Sequence, residues 1–363
     1  MNVMDYSERR RRLLAELERL KLDAILVTHL PNVRYLTGFT GSAAALLIEN
    51  KAQAKPAFVT DGRYSAQARE QVRGISIAVG KPGLMAGMIR EITARHPRRL
   101  GIEADHMTVK THSLLASELR GSRLVATSGV VEKLRIVKEP AEVKTIRQAV
   151  LLGARLLPGA LRSLRPGRPE AEVAAHIEYE ARRRGAERMS FETIVASGPR
   201  SAMPHGIASP APLPKAGFVV LDYGVILHGY CSDMTRTVHL GRPGPQSKAW
   251  YDAVLQAQLA AISAVRPGTA FSDVDRAARM ILKGSKLEKF FTHSTGHGVG
   301  LEIHEPPRLA AGQEETLEPG MVITIEPGIY VPGRGGIRIE DMVLVTSRGH
   351  EVLTPVRKDF VQL

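Results

Sequence analysis

The chain has almost no cysteine: Cys231 is the only one among 363 residues. One cysteine excludes an internal disulfide and a zinc site built from several thiolates, and it favours a protein of the reducing cytoplasm. Apolar runs long enough to cross a bilayer are missing as well, so no membrane span is predicted. The first residues carry basic side chains without an apolar core or a cleavage site, and we expect no secretory signal there.

Acidic residues are outnumbered by basic ones, which gives a formal net charge of +13. Such an excess raises nucleic acid as a partner. The basic residues, however, alternate with acids in segments such as EYEARRRGAER, and aromatic residues are not interleaved with them. A solvated basic surface is therefore the better interpretation, and nucleic acid is not expected as a partner. The G-x-S-x-G elbow of many serine hydrolases is also absent.

Two domains are predicted from the order of the local patterns. The segment SERRRRLLAELERL has helical spacing of leucines, and six short apolar runs follow, each bounded by glycine, proline or charge. These patterns predict a small α/β domain over residues 1–130. A charged hinge then leads into a helix with Pro140 in its first turn, and a second domain is expected over residues 131–363.

The second domain contains a weak internal repeat. LRPGRPEAEVA, at residues 164–174, matches VRPGTAFSDVD, at residues 265–275. Each copy opens a helix and is followed by a loop with a histidine, then by an apolar strand that ends in an acid, and then by a second acidic strand. This order predicts a duplicated α+β half-domain.

Four of these acids are placed symmetrically in two predicted hairpins. Asp222 and Asp233 are equidistant from one turn, and we expect them roughly opposite each other; Glu326 and Glu340 are symmetric about Gly333. A carboxylate at the end of a buried strand is costly unless it is paired or binds a metal. A single acid of this kind could simply cap a turn, but four in a duplicated pattern predict two divalent cations.

Histidines supply the remaining candidates in this domain. His297 stands between two glycines, which allow neighbouring backbone to approach, so an extended segment and a nitrogen ligand are predicted. Histidine with carboxylates suits Mn²⁺, Co²⁺, Fe²⁺ or Zn²⁺, and the carboxylates favour Mn²⁺. Two such ions lower the pKa of a shared water and stabilise a tetrahedral oxyanion, which is hydrolytic chemistry. His304 and its counterpart His205 could donate hydrogen bonds or carry protons in the same cleft, or have structural roles.

Two further side chains share a strand face with these acids. Arg338 precedes Glu340 by two residues, and it could orient that carboxylate, neutralise it or form a structural ion pair. Cys231 has the same relation to Asp233, and a packed thiol is the expected role.

The segments LDYGVILHGYCSDMTRT, HSTGHGVGLEIHEPP, TIEPGIYVPG and IRIED resemble those of the pita-bread metallopeptidases, which include aminopeptidase P, prolidase and methionine aminopeptidase. The resemblance implies a pita-bread catalytic domain that holds two metal ions. Asp222 and Glu326 would bind one ion each, with His297 beside Glu326. Asp233 and Glu340 would bridge both ions.

The same resemblance implies roles around the substrate. Glu326 becomes a candidate for handling the proton of the nucleophile. His205, His304 and Arg338 fall on positions that hold the substrate and the intermediate, and His293 falls on a pocket position.

THLPNVRYLTGFTGS and FVTDGRY resemble the creatinase-type N-terminal domain of Xaa-Pro peptidases, which implies a homodimer and a proline-specific enzyme. The function expected first is that of an Xaa-Pro aminopeptidase acting on short proline-containing peptides. The alternative is a strict Xaa-Pro dipeptidase (prolidase). Such an enzyme needs an arginine to bind the free carboxylate of the substrate's proline, and Arg308 and Arg334 are the candidates. A non-catalytic binding module on the same fold is the alternative of another class, and the intact set of acids argues against it.

Overall fold

The computed structural model describes residues 4–51 and 53–363, so the first three residues of the expected N-terminal domain lie outside the described residues. The described chain divides into two compact units, one ending at Arg135 and the other covering Ile136–Leu363. The boundary expected near Val130 coincides with the start of a helix whose residues up to Arg135 belong to the first unit. Within the described ranges, no helix is long and apolar enough to cross a membrane.

The first unit is a mixed sheet with six helices. Its strands are β1 Ala24–Val27, β2 Ala44–Glu49, β3 Ala57–Thr60, β4 Ser76–Val79, β5 Arg99–Glu103 and β6 Arg123–Thr127. Its helices are α1 Tyr6–Arg19, α2 Leu30–Thr37, α3 Ser65–Gln71, α4 Leu84–Arg95, α5 Val109–Glu118 and α6 Val130–Ile136, with a short 3₁₀ helix at Gly62–Tyr64. All six apolar runs therefore form strands, as predicted.

The strand order of this sheet is β4-β3-β2-β1-β5-β6. β2 is antiparallel to both neighbours, whereas β1, β5 and β6 are parallel to one another. The predicted first helix is confirmed, with Leu13 and Leu17 fully buried. The expected charged hinge is wrong in part, because its first residues form α6. That helix buries Val130 and Val131, so apolar contact outweighs the local charge.

The second unit contains the remaining elements. Its helices are α7 Pro140–Ala154, α8 Leu157–Ser163, α9 Glu170–Arg183, α10 Pro245–Ala264 and α11 Phe271–Gly284, with 3₁₀ helices at Gly198–Ala202 and Glu288–Phe290. Its strands are β7 Arg188–Met189, β8 Ile194–Ser197, β9 Gly217–Asp222, β10 Val225–Leu227, β11 Tyr230–Cys231, β12 Thr235–Leu240, β13 Gly296–Gly298, β14 Glu305–Leu309, β15 Val322–Ile325, β16 Gly328–Val331, β17 Gly335–Arg338, β18 Asp341–Thr346 and β19 Gly349–Val352. Pro140 is the first residue of α7, as predicted.

The internal repeat is visible in the backbone hydrogen bonds. The Gly167 N–H donates to the Leu213 carbonyl, and the Gly268 N–H donates to the Leu317 carbonyl, in both cases at 2.8 Å. Four more bonds continue the two copies in the same register: Glu170 to Ala211, Ala171 to Ser209, Phe271 to Glu315 and Ser272 to Gln313. Each copy also has its own apolar core, one around α9 and β9 and the other around α11 and β15. The duplication of half-domains is therefore confirmed.

The strand register of the first acidic hairpin is shifted by two residues from the predicted one. Asp222 pairs with Thr235, not with Asp233. The turn is centred between His228 and Gly229, both of which have positive φ, as a two-residue type I′ turn requires. Asp233 lies two residues before Thr235, so the two aspartates are diagonal neighbours on one face rather than directly opposed.

The second acidic hairpin has the predicted register. Ile325 pairs with Asp341 on one side, and Gly328 pairs with Arg338 on the other. Glu326 and Glu340 lie between these two pairs, opposite each other, as their symmetry about Gly333 predicts. Both hairpins therefore present a pair of carboxylates from neighbouring strand ends.

Candidate metal centre

One cavity of about 900 Å³ brings the predicted site together in the second unit. It is lined by all nine predicted site residues: Asp222, Asp233, His297, Glu326, Glu340, His205, His293, His304 and Arg338. The carboxylates come from strand ends, because Asp222 closes β9, Glu326 follows β15, and Asp233 and Glu340 precede β12 and β18. The two hairpins thus deliver their acids to one place, as the repeat predicts.

His297 is oriented as a nitrogen ligand would be. Its Nδ1 lies 3.0 Å from the Gly298 carbonyl, which can only accept, so Nδ1 carries the hydrogen and Nε2 carries the lone pair. Nε2 points to the acids, at 3.5 Å from Glu326 Oε1 and 3.8 Å from Asp233 Oδ2. Burial lowers the pKa of His297 to about 4, so the ring is neutral near pH 7.

The two glycines beside His297 are required by close backbone. A Cβ on Gly296 would lie 1.9 Å from the Thr324 carbonyl oxygen, and one on Gly298 would lie 2.2 Å from the Pro306 carbonyl oxygen. These contacts belong to the sheet neighbours of β13, so the predicted extended segment is confirmed.

Gly296→Ala is therefore expected to destabilise the protein by about 1–3 kcal/mol, because the β13 backbone must move away from β15. Chemical denaturation measures this change. Gly284→Ala is the matched control: a Cβ there meets open space at the end of α11, so stability should stay the same or rise by up to about 1 kcal/mol. Equal stability of both variants would show that the strands separate without cost.

The buried carboxylates lack partners on the side that faces the cavity. In the described part of the chain, Asp222 Oδ1, Asp233 Oδ1 and Glu340 Oε1 are buried without a hydrogen-bond donor. Ligand atoms of Asp233, His297 and Glu340 lie within 4.8 Å of one another. Buried polar atoms are almost always satisfied, so three orphaned oxygens around a neutral imidazole fit bound cations.

Without a cation, the carboxylates of this cluster also repel one another. Burial and then the charge of Glu340 raise the pKa of Asp233 well above its usual value. Burial and then Glu326 do the same to the pKa of Glu340, and burial raises the pKa of Glu326 to about 8. Converging carboxylates that resist ionisation are the electrostatic signature of a cation site.

Arg338 and Arg308 line this cavity, and Arg338 contacts Asp222. Its Nη2 donates to Asp222 Oδ2 at 2.5 Å, and its Nε donates to the Thr235 hydroxyl at 3.1 Å. Thr235 in turn donates to Glu340 Oε2 at 2.7 Å. Arg338 therefore neutralises one predicted ligand directly and reaches Glu340 through a hydroxyl.

Tyr330 extends this hydrogen-bond network from Arg338 to His293, a link that residue spacing in the sequence does not predict. Arg338 Nη1 donates to the Tyr330 hydroxyl at 2.7 Å, and that hydroxyl lies 2.8 Å from His293 Nε2. His293 Nδ1 lies 2.8 Å from the Ser294 carbonyl, so Nδ1 donates there and Nε2 accepts from Tyr330. Both ring nitrogens of His293 are thus engaged, although the residue lines the cavity.

His304 and His205 are exposed at the cavity wall. The His304 ring centroid lies 4.4 Å from that of His297, with the planes at 67°. Partial burial, and then His205, lower the pKa of His304, which favours a neutral imidazole that can donate a hydrogen bond.

The loop that carries His304 is fixed by a buried ion pair that sequence reasoning missed. Glu305 accepts from Lys138 Nζ at 3.1 Å and from the Glu302 N–H at 3.1 Å. Both charged side chains are almost fully buried. Cys231 is a packed thiol, as predicted: it is buried, and burial raises its pKa to about 12.

Comparison with known proteins gives the family. Residues 144–347 match the model of metallopeptidase family M24, and residues 9–137 match the creatinase/prolidase N-terminal domain. The chain is 34% identical over 361 residues to an Xaa-Pro dipeptidase of Pyrococcus horikoshii, covering 99% of this chain and 100% of the relative.

Two solved structures extend the comparison to the fold. The Xaa-Pro dipeptidase from Bacillus anthracis superposes with a TM-score of 0.95 at 39% identity, over 99% of this chain and 100% of that one. The X-Pro aminopeptidase from Thermotoga maritima superposes with a TM-score of 0.88 at 32% identity, over 96% and 100%. The predicted fold class is therefore confirmed, and the family implies divalent metal ions as cofactors. The chain belongs to metallopeptidase family M24, with a creatinase-type N-terminal domain before a pita-bread catalytic domain.

Proposed function

We propose that this metallopeptidase is an Xaa-Pro dipeptidase that requires a free carboxylate on the proline. Relatives named as dipeptidases support this choice. The Xaa-Pro aminopeptidase that the sequence predicts first is the second candidate, and the similarity to the Thermotoga maritima X-Pro aminopeptidase favours it. The two differ in what lies beyond the proline: a carboxylate in one case and further peptide in the other.

The position of Arg308 carries the proposal. It pairs with His297 across β13 and β14, and directly opposed residues project from the same face. Arg308 is exposed and lines the cavity, and among the described residues it has neither an ion pair nor a hydrogen-bond partner for its guanidinium. Arg334, the other candidate, donates to Gln246 and lies over the Trp250 ring, and it does not line the cavity.

A free guanidinium beside the candidate ligand His297 suits a dipeptide. In an Xaa-Pro dipeptide the carboxylate belongs to the proline that directly follows the scissile bond. The side chain that binds this carboxylate must therefore lie close to the reacting centre. Arginine binds a carboxylate with two parallel hydrogen bonds, which fixes both position and orientation. Arg308 is thereby assigned to hold the substrate, not to take part in the bond cleavage.

We assign Asp222, Asp233, His297, Glu326 and Glu340 as the ligands of two divalent cations, with Mn²⁺ the first choice. The orphaned carboxylate oxygens and the lone pair of His297 Nε2 support this assignment. When bound, the cations activate a water and act as Lewis acids toward the substrate carbonyl.

The other side chains act on the substrate and its protons. His304 and His205 are placed to donate hydrogen bonds to the oxygen that gains charge as the peptide bond opens. Glu326 is the candidate to take the proton of the nucleophile and pass it to the proline nitrogen, which becomes an amine on cleavage. Arg338, held by Tyr330 and Thr235, donates to Asp222 and keeps that carboxylate in place.

Arg308→Ala tests the assignment of the dipeptidase. We expect kcat/KM for an Xaa-Pro dipeptide to fall by roughly 10- to 150-fold. This factor corresponds to the free energy that a hydrogen bond to a charged group contributes, about 1.5–3 kcal/mol. The same variant should hydrolyse the corresponding Xaa-Pro amide as well as the unsubstituted protein does, because the amide offers no carboxylate. Steady-state kinetics on both substrates, with Mn²⁺ present, measures the difference.

Arg334→Ala is the matched control and should leave both substrates unaffected. Efficient cleavage of an Xaa-Pro-Xaa tripeptide by the unsubstituted protein, with no effect of Arg308→Ala, would support the aminopeptidase instead. Absence of hydrolysis of every Xaa-Pro substrate in the metal-loaded protein would contradict both candidates.

His304→Ala is expected to lower kcat for the dipeptide by about 10²-fold, because one donor to the developing oxyanion is lost. The metal content should stay unchanged, since His304 is not among the proposed ligands. Elemental analysis of the purified variant checks this point. A loss of metal would mean that His304 is itself a ligand.

The homodimer and the cytoplasmic location stay predictions. The creatinase-type N-terminal domain supports the dimer by resemblance, and light scattering of the full chain measures the mass.

A further inference from the structure

A second cluster of metal-binding side chains lies in the first unit, at the carboxyl ends of β1 and β5. These two strands are parallel neighbours, so their carboxyl ends meet at one edge of the sheet. The chain leaves β1 toward β2 on one side, and it leaves β5 toward β6 on the other. This is the switch point of the sheet, where open α/β sheets commonly bind ligands.

Three side chains converge at this edge. His29 follows β1, His106 follows β5, and Glu132 lies in α6. Each offers a ligand atom, and these atoms all lie within 4.8 Å of one another. His106 Nε2 is 3.0 Å from Glu132 Oε1, and the His29 and His106 rings are stacked, with centroids 3.5 Å apart and planes at 8°.

The cluster is supported from behind by a buried polar network. The Asn32 amide donates to Glu132 Oε1 at 2.5 Å and to Glu103 Oε1 at 2.8 Å. Arg135 Nη1 donates to Asn32 Oδ1 at 2.7 Å. Asn32 and Glu103 are buried. The Asn32 amide and His106 Nε2 meet at the same oxygen, Glu132 Oε1, so the buried amide fixes the oxygen that the imidazole contacts. Outer hydrogen bonds of this kind orient metal ligands.

The chain segment that carries His29 is fixed as well. The backbone N–H groups of Thr28 and His29 donate to Glu103 Oε2 at 2.6 and 2.8 Å. His29 is also the residue that precedes α2, whose first turn starts at Leu30. His106 lies in the turn after β5, where its N–H donates to the Glu103 carbonyl at 3.2 Å. The three candidate ligands are therefore carried by hydrogen-bonded segments directly after two strands and by a helix, which favours a built site.

We propose that His29, His106 and Glu132 bind one divalent cation of the zinc type, in addition to the cations of the catalytic cavity. Two imidazoles and one carboxylate, with a water in the fourth position, are a familiar ligand set for Zn²⁺. Binding turns the two stacked rings toward a common point, so the stack opens when the cation enters. His106 is exposed and provides the path from solvent.

The test counts zinc in the full chain. After loading with Zn²⁺ and removal of free metal, His106→Ala is expected to retain one equivalent per chain less than the unsubstituted protein does. Only this difference matters, so the result does not depend on how many ions the catalytic cavity holds. His106→Ala should hydrolyse Xaa-Pro dipeptide at an unchanged rate, because none of the three ligands lines that cavity.

His112→Ala is the matched control, an exposed histidine in α5 outside the cluster, and it should retain the full amount of zinc. Equal zinc in His106→Ala and in the unsubstituted chain would overturn the proposal and leave the cluster as a structural pair of rings. If His106→Ala does not fold, imidazole NMR of the unsubstituted protein decides. Zn²⁺ should then shift the His29 and His106 resonances but not those of His112, and unshifted resonances would equally overturn the proposal.

Discussion

Glu340→Gln is expected to reduce Xaa-Pro hydrolysis by at least about 10³-fold, because it removes one of the carboxylates that we assign as metal ligands. A metal contributes several kcal/mol of charge stabilisation to the transition state, and about 4 kcal/mol corresponds to that factor. Glutamine is isosteric with glutamate and can still accept from the Thr235 hydroxyl, so the change is confined to charge. Hydrolysis of an Xaa-Pro dipeptide and elemental analysis measure the two losses together.

The same substitution should stabilise the metal-free protein, by about 1–4 kcal/mol. Burial and the neighbouring carboxylates raise the pKa of Glu340, which means that folding makes its ionised form unfavourable. Above its usual pKa the carboxyl in the unfolded chain is ionised, so folding must either protonate it or hold a repelled charge, and the folded state loses stability there. A neutral amide removes this cost. Denaturant unfolding at pH 7 with a chelator present measures the gain.

Added Mn²⁺ separates the two effects. A ligand that binds only the folded state stabilises it according to its concentration and affinity, so the unsubstituted protein should gain much more than Glu340→Gln does. Glu178→Gln, on an exposed position of α9, is the control and should change neither activity nor stability. A metal-free Glu340→Gln protein less stable than the unsubstituted one would contradict the electrostatic account of the cluster.

Features that depend on short chain separations could be predicted from the sequence. The six strands of the first unit follow from apolar runs between breakers, and the Glu326–Glu340 register follows from symmetry about Gly333. The predicted partner of Asp222 is wrong by two residues. The turn residues, His228 and Gly229, adopt positive φ, and the centre of the hairpin therefore lies one residue later than predicted. Local symmetry alone does not fix a turn type.

Contacts between distant parts of the chain could not be predicted in this way. Lys138 and Glu305 are 167 residues apart, and their buried ion pair depends on how the start of the second unit packs against a loop of the second repeat. Arg308 faces His297 because β13 and β14 pair antiparallel up to His297, and the register shift that follows His297 leaves no signal in the sequence. Tyr330 reads as an apolar strand residue, and its hydroxyl becomes part of the site through Arg338 and His293.

Arg338→Met is expected to cost about 3–5 kcal/mol of stability and to reduce hydrolysis strongly. Arg338 is buried, and its donors satisfy Asp222, the Tyr330 hydroxyl and the Pro204 carbonyl. Methionine fills a similar volume but leaves these acceptors without their donor, and an unpaired buried carboxylate is the most costly of them. Denaturant unfolding and dipeptide hydrolysis, each with Mn²⁺ present, measure the two effects.

Arg338→Lys should rescue only part of this loss. Lysine keeps the positive charge near Asp222, but its single ammonium cannot reproduce the planar set of donors that also reaches Thr235 and Tyr330. Arg334→Met is the control, because that arginine contacts Gln246 and the Trp250 ring at the surface and should change stability by less than about 0.5 kcal/mol. If Arg338→Met behaved like Arg334→Met, the acids would be balanced by the cations alone, and Arg338 would have no part in holding Asp222 as a ligand.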